Sequence, residues 1–232
     1  MTTGPAVHGF THRRSSGVSL APYDDANLAL HVGDDAARVA ENRRLFAERR
    51  GVDVGAVAWM DQVHGADVAV VDAAPVTPPA VDALVTTRPG LLLAVLVADC
   101  VPVVLTSERV VAVAHAGRRG AAAGVVARTV ERMRELGAGS LHAVLGPAIC
   151  GQCYEVPEAM RDEVEAALPG AACTTRTGSA GLDLRAGLAN QLTALGVAVD
   201  VSQTCTAEAP HLFSHRRDGV TGRQAGWAML TS

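Results

Sequence analysis

The sequence predicts an α/β fold in which mixed β-sheets pack centrally with helices on the outside, as a single domain over residues 1–232. Three observations carry this reading. Short valine-rich runs alternate with segments of helical periodicity along the chain. Several of those runs are apolar at every position and need cover on both faces. The 232 residues, 49% of them hydrophobic, are enough to bury a core without disulfide or metal staples.

The elements follow in order. Phe10 to Ser19 reads as a loop and strand region. Asp35 to Arg50 reads as a helix capped by Asp34 or Asp35, with Val39, Ala40, Leu45 and Phe46 on one stripe. Val54–Trp59, Ala66–Val71, Ala83–Thr86, Leu91–Val97, Val103–Leu105 and Val110–Ala114 read as strands, separated by Gly, Pro or Asp. A helix from Ala121 to Leu136 stops at Gly137 and Gly139. Leu141–Leu145 reads as a strand, Pro157–Leu168 and Leu184–Leu195 as helices, and Val197–Val201 and Ala225–Leu230 as the last strands. Neither an internal repeat nor a low-complexity linker divides the chain.

Composition excludes whole classes of chemistry. All 20 basic residues are arginine, so Schiff-base, pyridoxal and phosphate-loop lysine mechanisms are ruled out. Twenty basic against 24 acidic residues leave no positive field for nucleic acid or anionic membrane, so a small molecule is the expected partner. The opening MTTGPAVHGFTHRR lacks an apolar export core and no run approaches the ~20 residues of a membrane span, which predicts a cytoplasmic protein. Dinucleotide, serine-hydrolase, nucleotide-triphosphatase and zincin signatures are all missing.

Three segments place a metal-capable side chain beside a strand end: His64 in AWMDQVHG, Cys100 in LLLAVLVADC and His115 in VVAVAHAGRRG. Together they make a coherent three-ligand set for zinc, with the fourth position open. Taken singly, each is as well explained by burial or by an ordinary satisfied polar residue. Asp99 and Gln62 read equally as orienting groups or as turn residues. Gly117 to Gly120 and the SHRRDGVTGRQAG segment gather arginines around glycines, as an anion contact or a solvated turn would. Cys150 and Cys153 form a CxxC, but a zinc ribbon needs a second pair and Cys173 and Cys205 stand alone in sequence.

Five ordered segments, DQVHGADV, DALVTTRPGLLLAVLVADCVPVVL, VAVAHAGRRGAAAGVV, LGPAICGQCYEV and FSHRRDGVTGRQA, resemble the successive motifs of the laccase-domain family. Its members are named multicopper polyphenol oxidases, purine nucleoside phosphorylases or peptidoglycan editing factors. The resemblance begins at GFTHRRSSGVS and NLALHVGDD and covers most of the chain. It implies an α/β fold and zinc held by His64, Cys100 and His115. It also implies phosphorolysis of adenosine, inosine and methylthioadenosine to base and ribose 1-phosphate, with adenosine deamination as a second activity. Its arginine motifs fall on Arg119, Arg216, Arg217 and Arg223, and the NRR of the first helix on Asn42, Arg43 and Arg44, as contacts for nucleoside and phosphate. Arg118 stands where the family has tryptophan, and Cys153 matches the family's cysteine before YEV.

Two other activities fit the same residues. Cys100 as nucleophile with His115 as base would make a cysteine hydrolase or amidase acting on peptidoglycan precursors. Copper could replace zinc at a Cys and His site, giving a polyphenol oxidase. A full four-copper centre takes on the order of ten histidines, however, and the chain has eight. A metal-stabilised module without turnover is disfavoured, because this core needs no metal to fold.

Overall fold

The computed structural model describes residues 6–231. The first five residues of the MTTGPAVHGFTHRR segment, and Ser232 at the end of the 1–232 span, lie outside the described residues.

The chain opens with β1 (Ala6–Phe10), followed by a long loop and helix α1 (Ala36–Glu48). The Asp35 carboxylate accepts the N–H groups of Ala37 and Arg38, which sets the start of α1. Six strands follow: β2 (Val57–Ala58), β3 (Val68–Val70), β4 (Ala83–Thr86), β5 (Leu92–Val97), β6 (Val101–Thr106) and β7 (Val111–Ala116). Helices α2 (Arg118–Ala122) and α3 (Val125–Glu135) lead to β8 (His142–Leu145) and α4 (Glu158–Ala167). The last third holds β9 (Ala172–Thr174), β10 (Ala180–Leu182), α5 (Leu184–Ala194), β11 (Ala198–Val201), α6 (His215–Asp218) and β12 (Gln224–Leu230).

Two mixed sheets form the centre, ordered β1-β12-β5-β2 and β11-β8-β6-β7-β4-β3, with β9 and β10 as a separate hairpin. The α/β class with mixed sheets is therefore as the sequence predicts. Period-two alternation builds four layers. Leu93, Val95 and Val97 of β5 pack with Leu84, Val104, Val111 and Val113 of the larger sheet, while Leu92, Ala94 and Leu96 pack with Phe46 and Ala47 of α1. On the outer face of the larger sheet, Val103, Leu105, Ala112 and Ala114 meet Val126, Val130 and Met133 of α3 and Leu188 and Leu192 of α5. Each central strand is thus covered on both faces, which is why β5 and β7 read as unbroken apolar runs.

Several boundaries differ from the sequence reading. The strand expected over Val54–Trp59 begins as a 3-10 turn, Val54–Ala56, because the Asp53 carboxylate captures Gly55 N–H at 2.7 Å; only β2 remains extended. The helix expected over Ala121–Leu136 starts at Arg118 and divides at Gly124, whose φ of +82° breaks the helical run between α2 and α3. Phe10 to Ser19 contains no strand beyond Phe10, since β1 lies before it and pairs antiparallel with β12. The β9–β10 hairpin and α6 carry too few apolar residues to show as periodic segments. Among the described residues, no helix is long and apolar enough to cross a membrane.

Candidate metal centre and cleft

Three chain segments converge at one end of the central sheets. His115 lies within β7, paired in register with Pro102 of β6. Cys100 occupies the bend between β5 and β6, and His64 the loop before β3. One donor atom from each lies within 4.8 Å of the others. The two imidazoles meet edge to face, with centroids 4.7 Å apart. His115 is buried, Cys100 half-buried and His64 exposed, so the set is open to solvent on the His64 side.

The backbone around these residues is specialised. His64 and Asp99 both have positive φ, +60° and +90°, costing on the order of 1–3 kcal/mol each for non-glycine residues. Gly117 packs against the whole donor set: a Cβ there would lie 2.9 Å from His64 Cδ2, 3.2 Å from Cys100 Sγ and 3.7 Å from His115 Cε1. A side chain at position 117 would fill the space that the three ligands enclose.

Asp82 organises the site, and the sequence reading missed it. Its buried carboxylate accepts the N–H groups of His64 at 3.0 Å and Gly65 at 2.6 Å, and contacts His115 Nδ1 at 2.8 Å. Burial raises its pKa, but the His115 hydrogen bond and the backbone donors outweigh burial and hold it below the usual carboxylate range. With Nδ1–H donating to Asp82, His115 offers Nε2 as a ligand. A charged residue opening an otherwise apolar strand was the one signal for Asp82 in sequence.

The titration of the donor set follows from these contacts. Burial pushes the Cys100 thiol up, yet hydrogen bonds from His115 and His64, with their charge, bring it down to about 6. Burial lowers His115, and its hydrogen bonds to Asp82 and Cys100 raise it to about 9. Without metal, the geometry therefore favours a thiolate beside an imidazolium; a divalent cation takes the place of the imidazolium's proton. One thiolate and two imidazoles, with a neighbouring carboxylate fixing the tautomer, fit zinc or copper.

A cleft of about 300 Å³ opens over the set, lined by His31, Gln62, Val97, His215 and Arg223 among others. That volume lies at the lower end of small-molecule sites, which run ~300–1,000 Å³. Gln62 pairs bidentately with the backbone of Leu96, donating to its O at 2.8 Å and accepting its N–H at 2.9 Å, and so ties the His64 loop to β5. Asp99 accepts from Thr206 Oγ1 at 2.6 Å, Ser214 Oγ at 2.7 Å and Arg216 N–H at 2.6 Å, which anchors the C-terminal loops beside Cys100.

The predicted arginines separate by position. Arg223 lines the cleft, with its Nη1 donating to Thr221 O and Gly222 O. Burial lowers its pKa, and the charges of Cys100 and Asp99 act in the opposite direction. Arg216 stacks 5.1 Å over Tyr154, whose phenol is raised by burial and by Cys100 and lowered by Arg118 and Arg216. Arg43 stacks 4.1 Å over Trp59, and burial pulls its pKa down to about 10.

Of the expected nucleoside and phosphate contacts, Arg223 lines the cleft; Arg43, Arg216, Asn42, Arg217, Arg119 and Arg44 do not. Asn42 is buried and donates to Ser19 Oγ and Asn27 O while accepting Val18 N–H, so its amide braces the loop before α1. It borders a different cavity of about 540 Å³, next to Phe10, Phe46 and Trp227, which holds no histidine or cysteine. Arg217 holds Thr206 O, Ala209 O and Leu212 O and pairs with Asp218, closing the loop that α6 follows. Arg119 is exposed on α2, and Arg44 pairs with Glu41 and Glu48 on the surface of α1.

A two-sheet α/β fold with a His, Cys, His donor set at the sheet ends defines a class of cleft-bearing proteins with a candidate metal site. Residues 7–231 match the family described as multi-copper polyphenol oxidoreductase laccase, and the chain belongs to that family. It is 52% identical to a protein of Corynebacterium glutamicum named purine nucleoside phosphorylase, over 94% of this chain and 92% of the relative. It is likewise 52% identical to one so named from Streptomyces coelicolor, over 99% and 97%. Among solved structures, YlmD from Geobacillus stearothermophilus superposes with a TM-score of 0.90 at 36% identity, over 98% of this chain and 93% of that one.

Proposed function

We propose that this chain is a zinc-dependent purine nucleoside phosphorylase, taking adenosine, inosine and methylthioadenosine with phosphate and releasing free base and ribose 1-phosphate. Adenosine deamination is its proposed side activity, and the cytoplasm its proposed compartment. The observation that carries the reading is the convergence of His64, Cys100 and His115 at the floor of a cleft that Arg223 also lines. Relatives named purine nucleoside phosphorylase support the substrate class.

His64, Cys100 and His115 would hold the zinc ion, which as a Lewis acid supplies charge stabilisation to an oxygen or nitrogen of the bound substrates. In phosphorolysis the C1′–N9 bond breaks, a phosphate oxygen bonds to C1′, and the departing purine takes a proton. Arg223, which lines the cleft, would hold the phosphate dianion. Burial, then the charge of Arg223 and to a lesser extent that of Arg43, holds His31 below the usual histidine range. His215 donates Nδ1–H to Gly219 O at 2.7 Å, which leaves Nε2 to carry a proton to the purine. Asp82 keeps His115 in the ligating tautomer, and Gln62 and Asp99 fix the two loops that flank Cys100.

The test is product analysis with adenosine and inosine, with and without phosphate and chelator, alongside metal quantification. Phosphate-dependent base release with ribose 1-phosphate, lost in Cys100→Ser, supports the reading. No base release and no deamination from zinc-loaded protein would reject it. Metal analysis of the isolated protein decides between zinc and copper.

One observation favours a second reading. Asp82, His115 and Cys100 form a connected line of carboxylate, imidazole and thiol, as a cysteine hydrolase acting on peptidoglycan precursors would need. Stoichiometric alkylation of Cys100 in metal-loaded protein would support it; complete protection by metal would count against it.

A further inference from the structure

The cleft uses one of the five cysteines. The other four, Cys150, Cys153, Cys173 and Cys205, gather on the far side of the loops that hold Asp99. Cys150, Cys153 and Cys205 bring their Sγ atoms, and Glu208 a carboxylate oxygen, to within 4.8 Å of one another. The CxxC and the lone Cys205, unconnected in sequence, are thus one cluster.

Two turns build it. After β8, the N–H groups of Cys153 and Tyr154 both donate to Cys150 O, at 2.9 and 3.0 Å, and curl the CxxC back on itself. After β11, Glu208 N–H and Ala209 N–H both donate to Cys205 O, at 3.2 and 3.0 Å. The turns are joined by a parallel bridge between Ala148 and Cys205, and by Cys150 N–H donating to Cys205 Sγ at 3.3 Å.

We propose that Cys150, Cys153, Cys205 and Glu208 form a second metal site, separate from the cleft, that holds a structural zinc ion through three thiolates and one carboxylate. A tetrahedral ion with Zn–S bonds of ~2.3 Å places its ligand atoms ~3.8 Å apart, so the cluster closes by ~1 Å at most. Thiolate donors select zinc over magnesium or calcium. Three thiolates and a carboxylate leave a net negative site around a divalent ion, and cations stand beside it: Arg176 pairs with Glu208, and Arg217 lies within the field of Cys205.

The site has a consequence for the cleft. Thr206, next to Cys205, donates its hydroxyl to Asp99 Oδ1, and Ile149, next to Cys150, donates its N–H to Asp99 O at 3.0 Å. Zinc here staples together the two turns that hold Asp99 in its left-handed conformation, one residue before Cys100.

The experiment counts metal in the full-length Cys100→Ser/His115→Ala chain, which silences the cleft. After zinc loading under reducing conditions and desalting, it retains one equivalent of zinc, with three sulfur neighbours by X-ray absorption, and wild type retains two. Adding Cys150→Ser or Glu208→Gln removes or weakens that equivalent and lowers Tm, while far-UV circular dichroism confirms that the chain is folded. Both lie at half-exposed or exposed positions, so the test stands even if Cys205→Ser fails to fold. A folded cleft-silenced chain that binds no zinc, binds it without sulfur neighbours, or carries these cysteines as a disulfide under the same conditions overturns the proposal. The count does not depend on phosphorolysis, so failure of the proposed activity leaves it intact.

Discussion

Asp82 Oδ1 lies 2.8 Å from His115 Nδ1, and the same carboxylate accepts the backbone N–H groups of His64 and Gly65. One buried anion therefore positions two of the three candidate metal ligands, one through its ring and one through its main chain. Replacing Asp82 with Asn keeps the shape but weakens these bonds, and should lower zinc affinity ~10–100-fold in competition with a chromogenic chelator. Asp82→Ala strands the buried donors and should cost ~3–5 kcal/mol in urea unfolding. Unchanged zinc affinity in Asp82→Asn would show that the carboxylate does not position the ligands.

Gly117→Ala tests the space that the donors enclose. Its Cβ would meet His64 Cδ2 at 2.9 Å and Cys100 Sγ at 3.2 Å, so the ligands must part. Overpacking of this kind costs ~1–3 kcal/mol. The expected result is a folded protein with zinc binding weakened at least ~10-fold, read by the same competition.

The pH dependence of Cys100 alkylation has a defined sign. A thiol lowered to about 6 is mostly thiolate at pH 7 and becomes protonated as pH falls through 6. Iodoacetamide modification of metal-free protein, followed at Cys100 by peptide mass spectrometry, should be near its plateau at pH 7 and fall below pH 6. An ordinary thiol would still be rising at pH 8. Zinc should suppress the reaction across this range.

Arg223 and Asn42 should separate function from folding. Arg223→Ala should raise the phosphate KM ~10-fold or more, with little change in the nucleoside KM, because a charge-assisted contact to the anion is worth ~1.5–3 kcal/mol. Asn42→Ala leaves buried groups of the 18–27 loop unpaired, at ~1–3 kcal/mol for each. It should lower Tm while leaving both KM values of the folded fraction unchanged. A selective rise in phosphate KM for Asn42→Ala would return that residue to the cleft.

Chelation should abolish turnover without unfolding the chain. The buried apolar layers on both faces of β5 and β7 are built from side chains other than the candidate metal ligands, of which only Cys100 packs at the margin of one layer. Circular dichroism of chelated protein should keep its native spectrum with a lowered Tm, since removing a ligand that binds only the folded state subtracts its binding energy. Loss of secondary structure on chelation at 25 °C would mean that metal is required for folding.

What the sequence determined by itself is local or repetitive. Unbroken valine runs required burial on both faces, and a mixed α/β architecture meets that demand at β5, β6 and β7. Strand-end positions flanked by Gly, Asp or Pro marked His64, Cys100 and His115, and the ordered motifs marked the family. Tertiary structure alone decided which polar groups meet. Asp82 is one acidic residue among 24 until β4 lies beside β7, and Asn42 and Arg217 look like ligand contacts until neighbouring carbonyls take up their donors. Cys205 stands alone in the sequence, 52 residues from Cys153, until β11 pairs with β8 and brings the turns after the two strands together. Periodicity reports how a residue sits on its own element, whereas a hydrogen bond or a metal site depends on distances between elements, which are set only when the sheets pack.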